Sequence, residues 1–332
     1  MNTVTEQITE FIYRIRIPLA NSPLKELNTY FIRGNDRDLL IDTGYRTPEC
    51  REALESGLRK LGSDSARRDI LLTHLHADHT GLSTEFADPD RRIWIGETDL
   101  VWLKKRLESV GQELFFERVL KEGFPVQVKN AIQRAGTSAN AMIPRMTNQF
   151  CGIKNGDCFE IGAVKLQVIE VPGHTPGSIM LWEPEKKMMF TGDHVLFDIS
   201  PNIIYWDGVE DSLGDYLRSL QECRKYDVSL ALPGHRNGGD YKHRIDELIE
   251  HHAERLNEVE EIIWKSPGKT AYEITGCMTW RIRAKNWEEF PNSQKWFATG
   301  ECLAHLDHLL CQKRIKKEWS GHVWRYFALQ DD

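Results

Sequence analysis

Ile70-Leu71-Leu72-Thr73-His74-Leu75-His76-Ala77-Asp78-His79 is the stretch that decides the fold. The apolar run Ile70-Leu71-Leu72 reads as a buried strand. Behind it, three imidazoles and one carboxylate fall within positions 74 to 79. On an extended backbone alternate side chains project to the same side, so His74 and His76 point together. Asp78 and His79 come after the turn and reach a second point nearby. One short loop therefore offers ligands to two adjacent cations, and imidazole with carboxylate suits Zn²⁺ as well as Fe or Mn. The bland alternative is a solvated histidine-rich loop. Further ligand types downstream tell against it.

They arrive in order. His174 lies in Val171-Pro172-Gly173-His174-Thr175-Pro176-Gly177-Ser178, Asp193 in Phe190-Thr191-Gly192-Asp193-His194, and His235 in Leu232-Pro233-Gly234-His235. Each follows an apolar run that reads as a strand: Leu166 to Val171, Met188 to Phe190, and Val228 to Leu232. Each also sits beside a glycine, which allows the sharp turn that a ligand at a strand end needs. Singly these elements are weak signals, and their order along the chain is what makes them specific.

In that order they resemble the metallo-β-lactamase superfamily, from about residue 30 to about residue 235 and including the strand and turn Leu39-Leu40-Ile41-Asp42-Thr43-Gly44. The resemblance implies an α/β fold, a four-layer αββα sandwich with two divalent metals at one edge of its sheets. Zinc heads the candidates, with Fe or Mn as the others. By position, His74, His76 and His174 would hold the first ion, Asp78, His79 and His235 the second, and Asp193 would bridge them. Asp42 would sit behind the ligands and orient one of their loops, as metal sites generally require. A hydroxide shared by the two ions is the implied nucleophile, with Asp78 and Asp193 as the catalytic carboxylates.

Composition sets the frame. The chain has 332 residues, 40% of them hydrophobic, which exceeds one typical domain. A formal net charge of −7 does not favour nucleic acid as a partner. Seven cysteines, an odd number with no C-x-x-C pair, read as reduced thiols in a cytoplasmic protein. Residues 1–10 lack the apolar stretch of a signal peptide, and no apolar run is long enough to span a bilayer. The expected partner is a small-molecule substrate, and a homodimer is left open.

The expected division is a catalytic domain over 1–240 and a second unit over 241–332. Residues Phe11 to Asp42 read as short strands with a turn at Gly34-Asn35-Asp36, and Pro48 to Leu61 as a helix. Between about 97 and 146 helical periodicity takes over, in Asp99 to Leu107, Gln112 to Glu122 and Val126 to Ala135, punctuated by Gly111, Gly123-Phe124-Pro125 and Gly136. Trp102, Leu103, Phe115, Phe116 and Val119 make this insertion apolar. It reads either as an extra layer or as a lid over the metals. A long helix covers about Tyr241 to Lys265, with Ile245, Leu248, Ile249, Leu256, Val259, Ile262 and Ile263 at helical spacing. The tail follows as helices at Thr270 to Cys277 and Ser293 to Gln312, then strands at Arg314 to Glu318 and His322 to Leu329. Helices followed by a β-hairpin describe a winged helix, and the tail resembles the winged-helix-like domain of the β-lactamase-like protein 2 group.

The resemblance also narrows the reaction. Common zinc β-lactamases lack the bridging aspartate and are exported. Diiron nitric-oxide reductases carry a flavin domain that the tail cannot supply, and too little chain separates Asp193 from His235 for the β-CASP nucleases. An ester or thioester hydrolase of acyl-CoA or acyl-glutathione type is the preferred reading. A single-strand endonuclease is the alternative, and an interaction protein with a vestigial metal site is the non-enzyme reading. Four further residues stand beside the ligands. His194 is open between substrate contact and packing, Tyr205 between pocket lining and core, and Arg236 between an anion contact and a surface salt bridge; Asp42 is placed above. His251-His252, His305 and His308 read as solvated helix surface. The run Lys313-Arg314-Ile315-Lys316-Lys317 reads as a solvated strand edge, and of the late tryptophans Trp264, Trp280, Trp287, Trp296, Trp319 and Trp324 most read as core of the tail and some as cover for the lid or a partner subunit.

Overall fold

The computed structural model describes residues 4–20, 22–107, 110–140, 143–281 and 284–329, with the side chains of 106–115 and 135–142 left aside. Two compact units divide the chain: 1–104, 138–201 and 219–245 form one, and 105–137, 202–218 and 246–332 form the other.

The first unit holds two sheets. Strands β1 (Thr5–Gln7), β2 (Ile12–Pro18), β3 (Glu26–Ile32), β4 (Asp38–Ile41), β5 (Arg68–Leu72), β6 (Ile93–Gly96) and β7 (Phe150–Ile153) lie in sequence order in a seven-stranded sheet. It is antiparallel as far as β4 and parallel from there to β7. A five-stranded sheet runs in the order β12 (Leu230–Pro233), β11 (Met188–Gly192), β10 (Ile179–Glu183), β9 (Val164–Glu170) and β8 (Cys158–Ile161). The facing sides of these sheets make the core: Ile12, Tyr30, Ile32, Leu39, Ile41 and Leu71 meet Phe159, Val168, Leu181, Met188, Phe190 and Leu232. Strand alternation explains the split, since Ile15 and Ile17 turn from this core to the other face of β2. There α1 (Pro48–Lys60) comes so close that a Cβ at Gly57 would meet Ile15 Cγ2 at 2.5 Å. Thr47 caps α1 by accepting the Cys50 N–H. Two sheets with helices outside make the αββα class.

Short helices α2 (Ala77–Thr80) and α3 (Ser83–Phe86) follow β5, and α4 (Glu97–Leu107), α5 (Val110–Lys121) and α6 (Val126–Asn140) follow β6. Gly136, expected as a break, lies inside α6, whereas Gly111 stands at the start of α5, whose junction with α4 lies outside the described residues. An interior glycine costs a helix only about 1 kcal/mol, which neighbouring residues offset. Gly123 does end α5: its φ is +87°, and a Cβ there would strike Thr270 Oγ1 at 2.5 Å. Leu103, Phe116 and Val119 are buried, whereas the side chain of Phe115 lies outside the described residues.

Helices α7 (Ser212–Cys223) and α8 (Tyr241–Lys265) span the boundary between the two units, and in the second unit α9 (Ala271–Cys277) and α10 (Asn292–Cys311) precede a hairpin of β13 (Ile315–Trp319) and β14 (Trp324–Ala328). A capping box between Thr270 and Glu273 starts α9. Ala271, Ile274, Ala298, Cys302, Leu303, Leu306, Leu309, Ile315 and Tyr326 are buried here. The tryptophans are not this core. Trp264 is 74% exposed and Trp319 46%, and Trp280, Trp287, Trp296 and Trp324 are only half-buried. Leucine and small residues fill α10's faces more closely, leaving the larger rings at the margin. The basic run is partly neutralised, with Arg314 paired to Glu260 and Lys316 to Glu318.

His252, His305 and His308 are buried, not solvated. His252 continues the stripe Ile245, Leu248, Leu256, Val259 of α8 at helical spacing, so the helix turns it inward. His305 Nδ1 donates to the Glu301 carbonyl at 2.8 Å, leaving Nε2 to accept from His252 Nδ1 at 3.2 Å. His308 Nδ1 meets both carboxylate oxygens of Asp211 at 3.0 Å. Burial pushes the imidazoles of His252 and His305 down, His305 to about 3, and Arg255, His251 and His308 add to it. Both are therefore neutral when folded, and each takes a proton on unfolding below about pH 6.5. Their contribution to stability is complete above that pH and is lost as pH falls toward about 3. We expect stability to decline by up to about 1.4 kcal/mol per pH unit for each of these histidines. Urea unfolding between pH 7.5 and pH 5 measures this, and His305→Gln should flatten the slope. An identical slope in the variant would refute the assignment.

Candidate metal centre

All seven ligand-type residues lie in the first unit, in the segments that follow strands β5, β9, β11 and β12. His74 leaves β5, His76 stands at the N-cap of α2, and Asp78 and His79 occupy that helix. His174 follows β9, Asp193 follows β11 and His235 follows β12. Backbone bonds draw these ends together: Ile179 N–H donates to Thr73 O at 2.9 Å, Gly234 N–H to Gly192 O at 2.8 Å, and Asn28 N–H to Gly234 O at 2.7 Å. Tyr30 Oη and Asn28 Nδ2 hold the Pro233 carbonyl at 2.8 and 3.0 Å, so β3 fixes the turn before His235.

The donors separate into groups. His74, His76 and His174 bring ligand atoms together, as do Asp78, His79 and His235, while Asp193 meets His74 and His79; within each group the atoms lie within 4.8 Å. His74 Nε2 stands 3.1 Å from His76 Nδ1, and His79 Nε2 stands 3.4 Å from His235 Nε2. Two nitrogens on one tetrahedral zinc stand about 3.3 Å apart, given Zn–N bonds near 2.05 Å. Asp193 reaches across, with Oδ2 3.2 Å from His235 Nε2 and 3.9 Å from His174 Nε2, and Oδ1 3.5 Å from His79 Nε2. That Oδ1 is buried and accepts no hydrogen bond in the protein. A Cβ at Gly234 would come within 2.4 Å of it, so only glycine leaves the space between the groups clear. Donor type, spacing and this cradle fit divalent cations.

Two of the imidazoles are oriented from behind. Asp42, at the left-handed φ of +60°, accepts the Thr73 N–H and hydroxyl at 2.8 Å each and faces His79 Nδ1 at 2.7 Å. His235 Nδ1 donates to the Glu26 carbonyl at 2.7 Å. Both therefore carry their proton on Nδ1 and turn Nε2 toward the carboxylates. Burial opposes charge throughout. Yet Asp42, Asp193 and Asp78 raise His79 well above its ordinary value, and Asp193 and Asp78 raise His235. Those histidines in turn hold Asp193 and Asp78 below the usual carboxylate range despite burial. The pocket stabilises positive charge at these nitrogens, the condition a cation needs.

His194 is buried beside Asp193, and burial followed by His174 pushes it down to about 3, so it stays neutral. Among the described residues Arg236 pairs with no carboxylate: its Nη2 donates to the Pro23 carbonyl at 3.1 Å, and its backbone takes φ +60°. Tyr205 belongs to the second unit, where its hydroxyl donates to Asp207 at 2.9 Å and Arg118 stacks 4.4 Å above its ring. Asp99 escaped the sequence reading altogether. It lies in Gly96-Glu97-Thr98-Asp99, which carries no ligand-type spacing, and it touches both first ligand loops.

An αββα sandwich with paired histidine and aspartate donors at its strand ends defines a class of metal-dependent hydrolases. Residues 26–235 match the model of the metallo-β-lactamase superfamily, and the chain belongs to that family. It is 26% identical over 326 residues to the "Probable metallo-hydrolase YqjP" of Bacillus subtilis (strain 168), covering 95% of this chain and 97% of that one. It is 28% identical over 266 residues to the "Acyl-coenzyme A thioesterase MBLAC2" of Homo sapiens, covering 76% and 88%. Among solved structures, the metallo-β-lactamase family protein TTHA1429 of Thermus thermophilus superposes with a TM-score of 0.81 at 27% identity, over 97% of this chain and all of that one.

Proposed function

We propose that this metal-dependent hydrolase cleaves a thioester or ester of acyl-CoA or acyl-glutathione type. The observation that carries the reading is the grouping of donors on either side of Asp193. Two divalent ions held there, zinc first among candidates, would supply a hydroxide nucleophile near neutral pH and polarise the scissile carbonyl. His74, His76 and His174 would hold one ion, Asp78, His79 and His235 the other, and Asp193 both. Asp78 Oδ2, 3.4 Å from His235 Nε2, is placed to accept a proton at the centre. A thiolate leaves without needing a proton, since its pKa is about 8.5, so a thioester makes no demand for a general acid. The relative named as an acyl-coenzyme A thioesterase supports that choice. A cytoplasmic setting accords with seven free cysteines. Among the described residues no helix is long and apolar enough to cross a membrane. The helices and hairpin of the tail support a winged-helix-like module.

A side-by-side assay tests the reaction: acyl-CoA and acyl-glutathione panels against single-stranded RNA, with wild type and His76→Ala. We expect thioester turnover in the wild type that disappears in the variant. RNA cleavage that vanishes in His76→Ala, with no thioester or ester turnover, would replace this reading with the nuclease one.

A further inference from the structure

Asp99 lies in the first turn of α4 and is fully buried. Its Oδ2 accepts the Leu75 N–H at 2.8 Å and the Thr175 hydroxyl at 2.7 Å, and its Oδ1 accepts the Gly177 N–H at 2.7 Å. Leu75 stands between His74 and His76, and Thr175 follows His174. One carboxylate therefore joins the loops that carry all three members of one donor group. The strands beneath it abut backbone to backbone. A Cβ at Gly96 would strike Gly177 O at 2.2 Å, and one at Gly177 would strike Asp99 N at 2.2 Å. Every partner of Asp99 here donates, which suits a carboxylate and no other side chain of its size. Since Thr175 gives its proton to Asp99, the Ser178 hydroxyl donates to Thr175 Oγ1 at 2.6 Å, and the Thr175 N–H returns to Ser178 Oγ at 3.2 Å. The other group is oriented through Asp42 behind His79 and the Glu26 carbonyl behind His235, and Asp42 also accepts from Thr73, whose hydroxyl oxygen lies 3.1 Å from His74 Nδ1.

We propose that Asp99 is a positioning residue that presets the His74–His76–His174 group through its contacts to Leu75, Thr175 and Gly177, so that its loss acts chiefly on that one metal position. This rests on the metal-centre reading above. Asp99→Asn keeps the shape but sets an amide N–H against at least one donor. Metal-free protein is titrated with Zn²⁺ against a chromophoric chelator, the phases being identified by their loss in His174→Ala and in His235→Ala. In Asp99→Asn the phase lost in His174→Ala should weaken by roughly 10–100-fold, the usual effect of losing such a partner, while the other stays unchanged. Amide hydrogen exchange in the metal-free state should quicken at Leu75 and Gly177 by roughly ten-fold, the worth of one buried hydrogen bond, and not at Thr43. Thr175→Val, which removes one donor and spares the carboxylate, should shift the same phase less; it decides the matter if Asp99→Asn does not fold. Equal weakening of both phases, or unchanged affinity and unchanged exchange, would overturn the proposal. Wild type that binds no zinc would remove the metal reading, whereas the exchange result would still judge the clasp.

Discussion

Replacing Asp193 with alanine should lower hydrolysis by roughly a thousand-fold or more and remove at least one of about two bound ions, because metal stabilisation of the reacting oxygen is worth several kcal/mol. The expectation follows from position. Asp193 alone extends one oxygen toward His79 and the other toward both His235 and His174. Without it each histidine group keeps its own spacing, but nothing negative lies between them to hold a pair of cations close. His79 and His235 would also lose a carboxylate that raises their basicity. Elemental analysis of protein purified without chelator, alongside turnover of the best substrate in the panel, measures both effects. Full occupancy in Asp193→Ala would sink the bridging assignment.

A comparably large loss, of stability this time, is expected for Arg118→Ala in the second unit. Arg118 Nε meets Glu122 Oε1 at 3.0 Å and its Nη2 meets Asp307 Oδ1 at 2.8 Å. Glu122 is fully buried and its other oxygen accepts the Tyr326 hydroxyl at 2.8 Å. Burial raises both carboxyls, and Arg118 is the leading influence that offsets it. Removing one partner of a buried pair typically costs about 3–5 kcal/mol, since the other charge is left stranded. Without the guanidinium these carboxyls can take up protons as pH falls, so the loss should be greater at pH 7.5 than at pH 5. Denaturant unfolding at both pH values checks it. A destabilisation below about 1 kcal/mol, the range of exposed pairs, would mean the network carries little. Both Arg118 and Asp99 lie between residues 97 and 146. With Asp99 in the role proposed for it, excising that whole segment should weaken metal binding as well as destabilise the second unit.

The glycine and proline signals proved uneven guides. At Gly192, Gly234 and Gly123 the backbone or a neighbour leaves no room for a side chain, and the turns expected there occur. At Gly136 no turn forms, because a helix absorbs one glycine at small cost when its other residues pack. The tail elements matched their periodicity closely, Ala271–Cys277 and Asn292–Cys311 among them. Strands β6, β7, β8 and β10 were not picked out, since four or five apolar residues read equally as strand or loop until partners stand beside them.

Sequence alone singled out the candidate ligand residues, their order and the sandwich they belong to. Each ligand is announced locally, by an apolar strand before it and a turn-forming residue beside it, and those preferences act within a few residues. Only the tertiary structure decided that Asp99 ties two ligand loops together and that His252, His305 and His308 are buried. These depend on residues 24 to 97 positions apart meeting in space, as Leu75 meets Asp99 and His308 meets Asp211. No periodicity within one helix or strand encodes such a meeting, because burial and hydrogen-bond partnership are properties of the pair and not of either residue.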